Sequence, residues 1–306
     1  MLKIYKSDGK DIQQTDAFEE GVWVQLTHPT SQEIRLVADT LDVDIDHLRA
    51  ALDEEERAHI ESDNGQTLIT VDIPMVDDGG GYSTIPLGIV LIKGAIITIC
   101  LRESSLLEDF AQGKVKTFVT QFRTRFLLQI LYRNALRYLV CLKQIDKLSS
   151  SIEATLHKSM RNEELIEMLK LEKSLVYFST SLKSNETVLE RLSRYDYVKK
   201  YPEDKELLDD VITENKQAIE MANIYSSILS GTMDAFASII SNNLNIVMKL
   251  LASITIVMSI PTMIASFFGM NVDMPFDVTH SFWPIVGIAM LCCLIVGYIL
   301  YKKDMF

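Results

Sequence analysis

The sequence predicts an N-terminal α/β domain in the cytosol, a long-helix stalk, and two C-terminal transmembrane helices. Three observations carry that prediction. Residues 250–272 and 281–301 are apolar runs without a single charge. After Pro86 no proline occurs until Pro202, and Gly113 is the only glycine between Gly94 and Gly231. The first hundred residues instead hold short β-branched segments broken by glycine and proline.

In chain order, KIYK, VWVQLTH, TLITVDIPM and TIPLGIVLIKGAIITICL read as strands, the last folding back at Lys93-Gly94. PTSQEIRLVADTL reads as a helix with a capping box, Ser31 or Thr30 serving as cap and Glu33 reaching back. DIDHLRAAL reads as a second short helix. These elements make up a domain over residues 1–103. Residues 104–201, charged and Leu-rich, form a helical hairpin, with 120–148 and 161–195 as its antiparallel arms. A third helix starts near Pro202, a favoured first-turn residue, and its pattern continues directly into the first apolar run. Up to Pro261 it would be on the order of 90 Å long, which one small core cannot hold and which calls for a bundle or an oligomer. Residues 202–249 are its stalk part.

Each apolar run has the roughly 20 residues needed to cross a hydrocarbon core. Residues 250–272 are the first span and 281–301 the second, with Phe282, Trp283, Tyr298 and Tyr301 near the ends of the second as interfacial anchors. The connection at 273–280 carries Asp273, Asp277 and His280 but no Lys or Arg. Lys249 precedes the first span, and Lys302 and Lys303 follow the second. Basic residues stay inside, so the N-terminal part and the basic tail at 302–306 are expected in the cytosol and the connection outside. The start, MLKIYKSDGKDIQQ, has no signal-peptide core, in keeping with that side.

The 306 residues carry a formal net charge of −12, which argues against a nucleic-acid partner and suits divalent cations. Cys100, Cys141, Cys292 and Cys293 show no metal-ligand spacing and read as buried small hydrophobes. His28, His47, His59 and His157 are scattered and read as surface or cap residues. No phosphate loop, nucleophile motif or HExxH is present, so nothing supports an enzyme or an organic cofactor.

Within the first span, Asn245, Met248, Ala252, Thr255, Ser259, Thr262 and Ser266 recur at alternating intervals of three and four. That is heptad spacing, and it puts them on one seam of a left-handed assembly. A small or polar seam serves tight helix packing. It also serves conduction, because two spans cannot enclose a pore and several copies around an axis can. The seam lacks carboxylates, so it suits a cation that keeps its water, as Mg²⁺ does.

Gly269-Met270-Asn271 directly after the first of two C-terminal spans, with an acidic loop next, resembles the CorA magnesium channel family. Asn245 to Lys249 at the inner end of the span and Pro261-Thr262 within it resemble that family too. So does the whole order of α/β domain, helical middle, stalk and two spans. The resemblance implies a funnel-shaped homopentamer embedded in the cell membrane, with the first span lining a pore for hydrated Mg²⁺. It implies a ring of Asn271 at the outer mouth, with Gly269 and Met270 shaping it. Asp273 and Asp277 would concentrate cations there. Phe268 stands where members usually have tyrosine, so a hydroxyl is missing. The zinc branch shares the scaffold, which leaves Zn²⁺, Co²⁺ or Ni²⁺ as alternative cargo. A membrane-anchored sensor or scaffold that conducts nothing is the alternative of another class.

Residues 53–63 and the row Glu206, Asp210 and Glu214 are acidic. Four-residue spacing puts the row on one helix face, where solvated decoration is the plain reading. The resemblance implies instead that Mg²⁺ between subunits holds such a channel closed, with Asp210 as the stalk ligand and Asp63 as its partner.

Overall fold

A computed structural model describes residues 1–270 and 282–303, apart from 10, 78, 116–117 and 160–161. It divides into two compact units, Met1–Gly231 and Thr232–Phe306.

The first unit is built on one sheet. Its strands are β1 (Leu2–Asp8), β2 (Asp11–Thr15), β3 (Val22–Thr27), β4 (His59–Asp63), β5 (Gln66–Val76), β6 (Tyr82–Ile92) and β7 (Ala95–Cys100). Their order is β2-β1-β3-β7-β6-β5-β4. β3 and β7 run parallel, while β6 and β7 are antiparallel across the turn at Lys93-Gly94. Gly94 takes a left-handed φ of 92° there, which a side chain would resist. β2 and β4 are polar edge strands, and neither was expected from alternation.

Strand alternation feeds a core on each face of the sheet. Val22, Val24 and Leu26 of β3 join Ile97 and Ile99 of β7 on one face. There they meet α1 (Ser31–Leu41) and α2 (Ile45–Ala50). Thr30 is the cap of α1, its hydroxyl accepting from Glu33 N while Glu33 reaches back, so the capping box resolves in favour of Thr30 over Ser31. Gly88 of β6 lets the chain just past α2 press onto the sheet: a Cβ there would lie 2.6 Å from the Ala51 Cβ.

The opposite face holds Trp23, Ile96 and Ile89, packed against α3 (Ser105–Ala111), α4 (Arg123–Ser159) and α5 (Asn162–Leu192). Trp23 is fully buried and donates from Nε1 to Thr98 Oγ1 at 2.9 Å. Past the end of β4, where β5 has no outer neighbour, side chains complete its backbone. Asn134 Nδ2 and Asn185 Nδ2 both donate to Asp72 O at 2.8 Å, and Asp72 N donates to Asn185 Oδ1 at 2.8 Å. Burial pushes the Asp72 carboxyl up to about 6, opposed by a hydrogen bond from Ser181.

After the short α6 (Asp196–Lys199), Pro202 opens α7 (Pro202–Phe268), a continuous helix of 67 residues. Its first turn is clasped to α4 by Arg125, which reaches Asp204 Oδ1 at 2.9 Å and Glu203 Oε2 at 2.5 Å. Asp204 is buried, so this ion pair fixes where the helix begins. The second unit consists of α7 from Thr232 onward and α8 (Phe282–Lys302).

Candidate functional site

The seam residues lie on the last third of α7. Asn245, Met248, Ala252, Thr255, Thr262 and Ser266 are exposed and Ser259 is half-buried. Thr255, Ser259, Thr262 and Ser266 line one surface groove together with Met258 and Met263. Three of these hydroxyls donate to their own helix: Thr255 Oγ1 to Leu251 O at 2.8 Å, Ser259 Oγ to Ile256 O at 2.8 Å, and Thr262 Oγ1 to Met258 O at 3.3 Å. Each hydroxyl proton is thereby spent on backbone, which leaves its oxygen to accept.

Pro261 sits inside α7 and has no N–H, so the carbonyl four residues before it, Val257 O, loses its helical donor. α8 supplies a replacement: the Cys293 thiol donates to Val257 O at 3.6 Å. From its sequence surroundings Cys293 reads as a small hydrophobe, and in the fold it is also a donor. Its signal was Pro261 itself, which announces an orphaned carbonyl one turn earlier. Cys292 and Cys293 are half-buried, whereas Cys100 and Cys141 are buried.

α7 ends at Phe268. Gly269 N closes the last turn on Ala265 O at 2.9 Å, and Met270 is exposed. A Cβ at Gly269 would lie 3.1 Å from Ala265 O, so crowding against the last turn is the reason for glycine. Asn271, Asp273 and Asp277 lie outside the described residues.

In the first unit, Glu206 and Asp210 are exposed and Glu214 is half-buried on α7, while Asp63 is exposed at the end of β4. Asp63 accepts from Asn64 Nδ2 at 3.0 Å. Among the described residues no three His, Cys, Asp or Glu side chains come close enough to hold a metal ion. The row and Asp63 therefore make no closed metal site within one chain. The histidines need one correction. His47 is only 7% exposed on α2, because its position on that short helix turns it toward the sheet, so it is not a surface residue.

Relatives agree with this architecture along nearly the whole chain. The cobalt/magnesium transport protein CorA of Methanocaldococcus jannaschii is 26% identical over 288 residues, covering 92% of this chain and 90% of that one. The complete structure of the CorA magnesium transporter from the same organism superposes with a TM-score of 0.81 at 22% identity, over 99% of this chain and 96% of that one. The full-length CmaX protein superposes with a TM-score of 0.74 at 15% identity, over 99% and 97%. Both α7 and α8 contain stretches long and apolar enough to cross a membrane. The family described as CorA-like Mg²⁺ transporter protein matches residues 18–302. With that match over nearly its full length, the chain belongs to this family of multi-pass membrane transporters, which are not enzymes.

Proposed function

We propose that the chain forms a homopentameric channel through which hydrated Mg²⁺ passes down its gradient, gated by internal Mg²⁺. The observation that carries this reading is the seam of α7, where Thr255, Ser259 and Thr262 turn their hydroxyl protons onto backbone carbonyls and keep their oxygens as acceptors. A hydrated cation presents water hydrogens, which are donors, and Thr255, Ser259 and Thr262 meet them with oxygens whose own protons are already placed. Mg²⁺ sheds its water reluctantly, so the match favours passage with the hydration shell kept. Five copies around an axis would place the seams toward one another. Asn271 would present neutral oxygens at the outer mouth, with Asp273 and Asp277 gathering cations beside it.

The relative named for both cobalt and magnesium supports Co²⁺ as a second cargo on the same path. Zn²⁺ and Ni²⁺ stand as competitors to be compared side by side. In the gating part of the proposal, Glu206, Asp210 and Glu214 on one subunit meet carboxylates such as Asp63 on the next. Mg²⁺ between them offsets their repulsion, and its loss releases the stalks.

The test is flux into liposomes with Mg²⁺, Co²⁺, Zn²⁺ and Ni²⁺. Asn271→Ala should abolish Mg²⁺ flux with the oligomer intact. Thr262→Val, which keeps size and removes a hydroxyl, should reduce it. Asp210→Ala should leave flux less inhibited by internal Mg²⁺. A reconstituted oligomer that passes no divalent cation at all makes the chain a membrane-anchored sensor or scaffold.

A further inference from the structure

A concavity of about 390 Å³ lies between α2 and the β4 edge of the sheet. Alternation builds one wall: His59, Glu61 and Asp63 of β4 line it, while Ile60 and Ser62 between them do not. α2 and its cap supply the other wall through Asp44, Asp46 and His47. With Glu56 there are five carboxylates in the lining and no lysine or arginine.

Carboxylates alone would be solvated decoration, but His47 is not. It lines this concavity while buried, and its Nδ1 has no hydrogen-bond partner. A buried polar atom left without a partner costs about 1–3 kcal/mol, so it marks a place where a hydrogen-bonding group belongs, a donor when the ring proton sits on Nε2. His59 points the same way. Its Nδ1 donates to Arg57 O at 2.8 Å and lies 3.4 Å from Glu56 Oε1, so in the neutral ring Nε2 is the acceptor.

The ligand must be cationic and must donate hydrogen bonds. A bare metal ion fits poorly, because no three of the ligating groups converge. The acidic groups are spread around a space large enough for a small organic molecule, and Ala50 and Leu68 give it an apolar floor. Ammonium groups joined by methylenes match every part of this. Each ammonium meets its own carboxylate, the methylenes rest on Leu68, and one N–H satisfies His47 Nδ1.

We propose that this concavity is a binding site for small alkyl polyamines. The proposal goes beyond the transport reading and does not rest on it. Spermidine is the probe, measured by equilibrium dialysis against the full-length chain in detergent, with no flux assay involved. Expected is saturable binding with one site per chain, weakened about tenfold by His47→Ala and by Glu61→Gln, as loss of a charge-assisted hydrogen bond implies. Glu61 is exposed, so Glu61→Gln remains informative even where His47→Ala fails to fold. NaCl at matched ionic strength should displace spermidine only weakly. Binding that Glu61→Gln leaves unchanged overturns the proposal. So does displacement by low Zn²⁺ in a His47-dependent manner, which would make the concavity a metal site.

Discussion

The two units treat apolar side chains in opposite ways. In Met1–Gly231 they are packed against both faces of a sheet, and Trp23, Phe110 and Phe126 are fully buried. In Thr232–Phe306 they face outward, and only 6% of the apolar window in each membrane-length helix is buried. Leu251, Phe267, Leu294 and Trp283 are all more than half exposed. The first unit excludes water from its own interior. The second leaves that exclusion to the surrounding membrane, so the same degree of exposure means different things in the two.

A pair of like substitutions sets that contrast most directly. Leu294→Lys, at a residue 69% exposed in the middle of α8, should cost about 2.5–3.5 kcal/mol of membrane insertion. Leu36→Lys, at a residue 50% exposed on α1, should change stability by no more than about 0.5 kcal/mol. An insertion assay and a denaturant melt read the two effects, and equal small costs at both sites would erase the distinction. Within the first unit, Arg125→Ala should destabilise by about 3 kcal/mol, because it strands the buried Asp204 carboxylate at the start of α7. Chemical denaturation should show that loss in the first unit.

A slightly smaller effect depends on pH. Asp72 titrates at about 6 in the fold against an ordinary 3.8, so folding favours its protonated form. Its contribution is fully present below the unfolded value and is lost as pH rises from about 4 to about 6. The loss amounts to on the order of 2–3 kcal/mol. Asp72→Asn should therefore be more stable than the parent at neutral pH and nearly level with it in mild acid, in melts of the full chain. A smaller effect than that of Asp72 lies in the second unit. Cys293→Ser keeps a donor for Val257 O and should leave melting and flux near the parent values, whereas Cys293→Val should cost about 1 kcal/mol. Identical behaviour of the two variants would remove the thiol bond from the account.

Much of this was legible because long-range packing was not needed to read it. Two uncharged runs announce their helices by composition, and Thr30 with Glu33 announces the start of α1 by local bonding. The edge strands were not legible. DIQQT and HIESD are polar and gain order only from a neighbour, β1 for one and β5 for the other. His47 was misread for a related reason: a six-residue helix has too short a pattern to reveal which face meets the sheet. The seam was visible as spacing, but the direction of its hydroxyl protons belongs to the folded helix and not to the residue types.

That direction has a consequence for the sign of charge. An anion needs donors, and Thr255, Ser259 and Thr262 have already given theirs to Leu251, Ile256 and Met258. Were this face to line the proposed pore, chloride or phosphate would have to break a bond inside the helix to recruit a donor from any of these three residues. In such a pore, neutral hydroxyls would turn anions away without carrying any charge of their own.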